Sequence, residues 1–282
     1  VLKQRIITAL LLLPVFLSGL FATSAIGFAW FIGLIVAIAA WEWARMGGLQ
    51  LQWQRVAYAA GIIAVLLAGR HIPPAASLVV AFAGWCVAVV LVARWPVGQS
   101  IWSRPMTRLL TGVVLLHSTW VALLYLRSAT WTLEPEVPGV YLILYVFLIV
   151  WLADIGAYFV GRTWGRRKLA PLVSPGKSIE GAMGGLAAVS VLPLVGGVWF
   201  GLEGASIALL WIVTLITAVF SIAGDLLESL AKRSAGIKDS SQILPGHGGI
   251  MDRIDSVTAA APVFGFLMLV LGWLTVSVSG VN

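Results

Sequence analysis

Apolar runs of up to about 20 residues, the length of helix that crosses a hydrocarbon core, recur along this chain. Of its 282 residues, 60% are hydrophobic and only 10% are charged, too little charge to cover a soluble domain of that length. A polytopic membrane protein is expected. The length allows one helical bundle and leaves no room for a separate soluble domain of ordinary size.

Nine spans are predicted, at 6–22, 26–41, 56–69, 75–93, 109–126, 140–160, 182–200, 205–223 and 257–278. Charge placement orients them. With the N-terminus in the cytoplasm, 16 of the 18 Lys and Arg residues fall in cytoplasmic segments, and only Arg70 and Arg127 fall outside. Dropping the short span 56–69 would move Arg94, Arg104 and Arg108 to the wrong face. Lys3 and Arg5 ahead of an apolar run also fit a secretory signal, with Ala22-Thr23-Ser24 as a tolerable cleavage context. The orientation nevertheless needs that first span retained.

The expected fold is therefore all-α and integral to the membrane. It is a bundle of about nine transmembrane helices with a cytoplasmic N-terminus, an outer C-terminus and chemistry at the cytoplasmic boundary. Residues 1–138 supply five anchoring spans; residues 139–282 supply four spans and two cytoplasmic segments for catalysis. No internal repeat is visible, which argues against a transporter of duplicated halves. The formal charge of +7 reads as loops facing anionic lipid, not as a nucleic-acid footprint. Cys86 is the single cysteine, which excludes a disulfide, a thiolate metal site and CxxC chemistry within one chain.

Acids, bases and glycines come together in 161–181 and 224–256. No breaker ends the eighth span at Gly224, so its helix is expected to run into the cytosol as far as Gly236. Asp225, Glu228, Ser229 and Lys232 then share one face. Pro245-Gly246-His247-Gly248-Gly249 forces a turn, after which Asp252 and Asp255 open the ninth span. A solvated loop accounts for Lys232 and Arg233. It does not account for Asp225 and Asp252 near one boundary on either side of a glycine-rich turn. Mg²⁺ uses one or two carboxylates and fills its other positions with water and phosphate oxygens, and glycines let backbone N–H groups approach phosphate. Phosphoryl or nucleotidyl transfer is the chemistry these residue types suit.

In the upstream segment, Ser174-Pro175-Gly176-Lys177-Ser178 is not a Walker A loop, because that motif requires Gly where this chain has Pro171. Lys177 just before a helix still suits an anion, although Arg162–Lys168 also reads as a plain basic loop. Asp154 within a span needs an interior partner or a cavity. Glu42, between Trp41 and Trp43, is expected near the interface, free to snorkel. His117 reads as an interhelical hydrogen-bonding residue. For His247, phosphate contact and a turn-forming role stay equally open.

The run Ser229-Leu-Ala-Lys232-Arg233-x4-Lys238-Asp239-x5-Pro245-Gly-His247-Gly-Gly-x2-Asp252-Arg253-x-Asp255-Ser256 resembles the signature of the CDP-diacylglycerol synthases, or phosphatidate cytidylyltransferases. Gly224-Asp225-Leu-x-Glu228-Ser229, Asp154-x3-Tyr158-x2-Gly161 and Ser174-Pro-Gly-Lys177-x3-Gly181 match the same family. The resemblance covers 154–256; before that it rests on hydropathy and the Trp41-Glu42 pair. Ser178 stands where the family commonly has Thr. The resemblance implies a membrane fold of helices only, Mg²⁺ with room for a second cation, and CTP and phosphatidate as substrates taken at the inner membrane of a bacterium. Asp225 and Asp252 resemble the principal metal acids, with Asp239 and Asp255 nearby. Lys232, Arg233, Lys238 and Arg253 resemble phosphate or headgroup contacts, and Lys177, Ser174, His247, Gly248, Gly249 and Asp154 are further substrate-binding candidates. Partners are CTP, phosphatidate and the bilayer, with a homo-oligomer left open. The rival readings are a CTP-dependent lipid kinase and an ion or lipid transporter.

Overall fold

A computed structural model of the chain describes residues 2–133 and 136–275, and only the backbone of residues 2–7 and 9. The side chains of Lys3 and Arg5, residues 276–278 of the last predicted span and Asn282 thus lie outside the described residues; the helix of that span ends at Val270, short of the predicted 278. In chain order the elements are α1 (Leu2–Phe21), α2 (Ala25–Met46), α3 (Gln52–Gly69), α4 (Pro74–Ala93), α5 (Gln99–Trp102), α6 (Pro105–Ser128) and β1 (Thr130–Trp131). Then come α7 (Gly139–Trp164), β2 (Lys168–Ala170), β3 (Ser174–Ser178), α8 (Ile179–Val189), α9 (Leu192–Trp199), α10 (Ala205–Ser234), α11 (Met251–Val270) and β4 (Leu274–Thr275).

Among the described residues, seven helical stretches are long and apolar enough to cross a membrane: α2, α4, α6, α7, α8 with α9, α10 and α11. The predicted spans 6–22 and 56–69 are helical, as α1 and α3, but fall outside that set. Among its described residues, α1 offers only the shorter apolar stretch Leu10–Phe21. The first turn of α3 carries Gln52, Gln54 and Arg55, which dilute its hydropathy. Span 182–200 is two helices, not one. Pro193 near the start of α9 has no N–H to return to the preceding turn, so the ladder breaks between Val189 and Leu192.

The expectation of helices only is corrected by two small antiparallel sheets. In one, β2 pairs with β3, Lys168 opposite Ser178 and Ala170 opposite Ser174. In the other, β1 pairs with β4, Thr130 opposite Thr275. Between α7 and α8 the chain must reverse at the edge of the bundle, and a hairpin satisfies its backbone groups there without a long loop.

The predicted extension of the eighth span is present. α10 continues to Ser234, and Gly236 follows in the left-handed region at φ +69°. Ile237 N–H donates to Lys232 O at 3.0 Å, the long bond of a glycine-terminated helix end. Gly224 decides where α10 meets α11: a Cβ there would lie 2.6 Å from the Asp255 carbonyl oxygen. Only glycine permits that approach, and it brings the acids of the two helices to one end of the bundle. Small residues at such crossings are how apolar helices pack where lipid removes any hydrophobic preference between them.

Candidate active site

Burial and partners sort the polar face of the last turns of α10 into two groups. Asp225 is part-exposed, accepts from Ser229 Oγ at 3.2 Å and pairs with Lys177 Nζ at 2.5 Å. Lys177 comes from β3, so this pair ties the hairpin to α10. Asp225 also lies close enough to Asp154 of α7 and Asp255 of α11 for their negative charges to interact. A cavity of about 350 Å³ opens beside this group, lined by Asp154, Tyr158, Arg162, Gly176, Lys177 and Ser178 among others.

The second group is closed. Lys232 Nζ pairs with Glu228 one turn back and with Asp252 Oδ1 at 2.7 Å, with Glu228 only 1% exposed. Asp252 Oδ2 accepts from Ser240 N at 3.0 Å, Ser240 Oγ at 2.8 Å and Gly249 N at 2.7 Å. Capping of α11 explains the Gly249 contact alone. The lysine and serine contacts make Asp252 a junction between α10, the 235–250 loop and α11.

Ser178 is the N-cap of α8 and accepts from Gly181 N at 3.1 Å, so a helix does start directly after Lys177 and Ser178. Glu180 takes both the Arg166 and Arg167 N–H groups at 3.0 Å and the Arg167 side chain at 2.9 Å, so it orders the strand that leads into the hairpin. Ser174 opens β3 opposite Ala170, partly exposed. The glycine-rich turn is closed by Leu244 pairing with Gly248 and by His247 N–H donating to Leu244 O at 2.9 Å. Gly246 and Gly248 occupy φ +75° and +81°, where a side chain is strained. His247 Nδ1 is buried and has no hydrogen-bond partner among the described residues. Arg233, Lys238, Asp239 and Arg253 are exposed; Asp239 sits beside Gly248, and Arg253 is within charge range of Asp154.

The four acids expected to bind metal are thus not gathered into one set: Lys177 holds Asp225, Lys232 holds Asp252, and Asp255 lies within charge range of both groups. Among the described residues no three His, Cys, Asp or Glu converge as a ready ligand set. The donor chemistry still suits a hard divalent cation. At this end of the bundle five carboxylates (Asp154, Asp225, Glu228, Asp252, Asp255) face the two ammonium groups of Lys177 and Lys232. That excess of oxygen ligands fits an ion that takes one or two carboxylates and draws its remaining ligands from phosphate and water.

Three participants were not among the predicted site residues. Glu228 was legible as a member of the α10 face. Ser240 and Glu42 were not: Glu42 is fully buried and binds the start of α11, instead of snorkelling at the interface. Its sequence signals were an acid between two tryptophans and the Trp41-Glu42 pair shared with the family it resembles.

The profile of the cytidylyltransferase family matches residues 3–271. The chain is 46% identical over 274 residues to a phosphatidate cytidylyltransferase of Pseudomonas aeruginosa, covering 96% of this chain and 98% of that protein. It is 38% identical over 283 residues to one of Haemophilus influenzae, covering 94% and 98%. A Staphylococcus haemolyticus phosphatidate cytidylyltransferase is 48% identical over 131 residues, about half of each chain.

Proposed function

Because the chain belongs to the phosphatidate cytidylyltransferases of the cytidylyltransferase family, we propose that it is the nucleotidyltransferase that moves CMP from CTP onto phosphatidate. The products are CDP-diacylglycerol, which stays in the bilayer, and diphosphate. The observation that carries this reading is the convergence of acids and lysines from α7, β3, α10 and α11 at one end of an otherwise apolar bundle.

A phosphatidate oxygen forms a bond to the α-phosphorus of CTP as the bond from that phosphorus to diphosphate breaks. The attacking phosphate monoester is ionised near neutrality, so no strong base is required, and none is needed from His247. The obstacle is bringing two anions together. Mg²⁺ held by Asp225 and Asp252, with Asp255 and Asp239 nearby, would supply charge neutralisation and alignment. Asp225 is the more accessible of the two principal acids; Asp252 joins only where Lys232 yields Oδ1. Lys177 is held by a single part-exposed carboxylate, so it can exchange Asp225 for a substrate phosphate. Arg233, Lys238 and Arg253 present exposed cations to CTP or to the lipid headgroup. An apolar groove of about 550 Å³ between α8 and α10, with Met183, Leu186, Trp211 and Phe220 in its wall, begins next to the polar cavity and suits acyl chains.

The assay is CTP labelled at the α-phosphate, incubated with phosphatidate liposomes. Label in the lipid with release of diphosphate is expected. Unlabelled phosphorylated lipid with CDP would instead identify a kinase, and no conversion would favour transport.

In the finer reading, α1 and α3 also cross, giving nine spans with a cytoplasmic N-terminus and the acidic end of the bundle facing the cytoplasm of a bacterial inner membrane. The charge split supports it. Single cysteines at His71 and at Lys238, both exposed, should react with impermeant reagents from opposite faces. Labelling from one face overturns this topology.

A further inference from the structure

Glu42 carries more contacts from the catalytic segment than any acid within that segment except Asp252, although it lies on α2, far away in sequence. Its Oε1 accepts from Ser241 Oγ at 2.5 Å and Ile250 N at 3.0 Å. Its Oε2 accepts from Met251 N at 2.6 Å and Ser240 Oγ at 3.1 Å. The carboxylate is fully buried. A carboxylate out of water persists only when donors meet it: two N–H groups and the Ser241 hydroxyl do so here, and Ser240 shares its single hydroxyl proton between Glu42 and Asp252. Two of the donors are N–H groups at the start of α11, where the helix dipole also favours negative charge.

The Ser240 hydroxyl is the link to chemistry. The same oxygen lies 2.8 Å from Asp252 Oδ2 and 3.1 Å from Glu42 Oε2. Asp252 in turn holds Lys232. A chain of direct contacts therefore runs from α2 through Glu42 and Ser240 to Asp252 and Lys232. We infer that Glu42 is a positioning residue: from the N-terminal half it fixes the 239–251 segment and, through Ser240, the orientation of the Asp252 carboxylate. This rests on the transferase reading for its kinetic consequence, but not for its structural one. It gives the N-terminal helices a part in catalysis beyond anchoring.

Loss of orientation by about 1 Å costs on the order of 100-fold in rate, so Glu42→Gln should lower kcat by about 10- to 100-fold. KM for CTP should stay within about twofold, because Glu42 touches no surface open to substrate. The discriminating readout is a cycle with Asp252→Asn. If Glu42 acts through Asp252, adding Glu42→Gln to Asp252→Asn should cost at most about threefold more, whereas a general folding defect would multiply the two losses. Ser240→Ala cuts the link and leaves the Glu42 contacts to α11 in place, so it should reproduce the kcat loss. Hydrogen exchange on the purified proteins in detergent should show lost protection at 239–251 in Glu42→Gln and unchanged protection in α4 and α7.

Unchanged exchange at 239–251, a kcat for Glu42→Gln within twofold of wild type, or multiplying losses in the cycle would each overturn the assignment. If Glu42→Gln fails to insert, Ser240→Ala decides alone, and a kcat within twofold of wild type overturns the link. A wild-type protein inactive on CTP and phosphatidate would count against the transferase reading, and the exchange experiment would still decide the role of Glu42 in ordering the segment.

Discussion

Two lysine–aspartate pairs lie at the same end of the bundle and differ in nearly every physical respect. Lys232 bridges Glu228 and Asp252, and its side chain is 14% exposed; Lys177 holds Asp225 alone, and its side chain is 28% exposed. The first pair joins α10 to α11 and is backed by Ser240 and Gly249. The second joins α10 to a surface hairpin beside a cavity. A buried charge pair holds one geometry, since losing either partner strands a charge out of water. A part-exposed pair is worth little in itself and exchanges its partner at small cost. One pair sets the frame, and the other can give up its partner beside the cavity.

The largest test of that contrast is stability. Lys232→Ala should cost about 3–5 kcal/mol, because Glu228 and Asp252 lose their shared cation. Lys177→Ala should cost about 0–1 kcal/mol. Thermal unfolding of the two variants in the same detergent measures the difference, and equal losses would erase the distinction.

Turnover sharpens it. Asp225→Asn and Asp252→Asn should each lower kcat by about 10²- to 10³-fold, the scale of losing one preorganised charged group at a reacting centre. If both acids serve one metal ion, the double variant should lose much less than the product of the single effects. Asn is itself an adequate cap. An Asp252→Asn enzyme with near-normal activity and unchanged Mg²⁺ dependence would therefore reduce Asp252 to a structural residue and remove its metal role.

The smallest effect belongs to Lys177. If it exchanges Asp225 for a substrate phosphate, Lys177→Ala should lower kcat/KM by about 10- to 100-fold, the worth of one hydrogen bond to a charged group. Insertion should be unaffected, and stability should fall by no more than about 1 kcal/mol. Unchanged kinetics at limiting CTP and at limiting phosphatidate would leave Lys177 an ordinary basic residue of the hairpin.

Local order was well represented in the sequence. Every predicted span contains helix, although 182–200 breaks after Val189 and 257–278 leaves the helix after Val270, and α10 runs on past Gly224 to the stop that Gly236 implied. The shared face was legible too: Ser229 bonds Asp225 and Lys232 pairs with Glu228, each four residues apart. The break near Ser190 could have been read from Pro193, but an unbroken apolar run concealed it. The hairpin at 168–178 had no apolar alternation to announce it, because its strands lie at the edge of the bundle and bury little.

By itself, then, the sequence determined which segments are helices, which faces of them are polar, and which family motif they carry. All of these follow from neighbours within a few turns, where period and composition act directly. Only the tertiary structure decided that Asp225 stands with Asp255 and Lys177, that Asp252 stands with Lys232 and Ser240, and that Glu42 reaches the start of α11. Those partnerships depend on how closely helices approach at Gly224 and on how a loop folds back against α2, distances that no local pattern encodes. Burial then makes each choice binding, since an acid removed from water holds its place only where donors from other elements meet it.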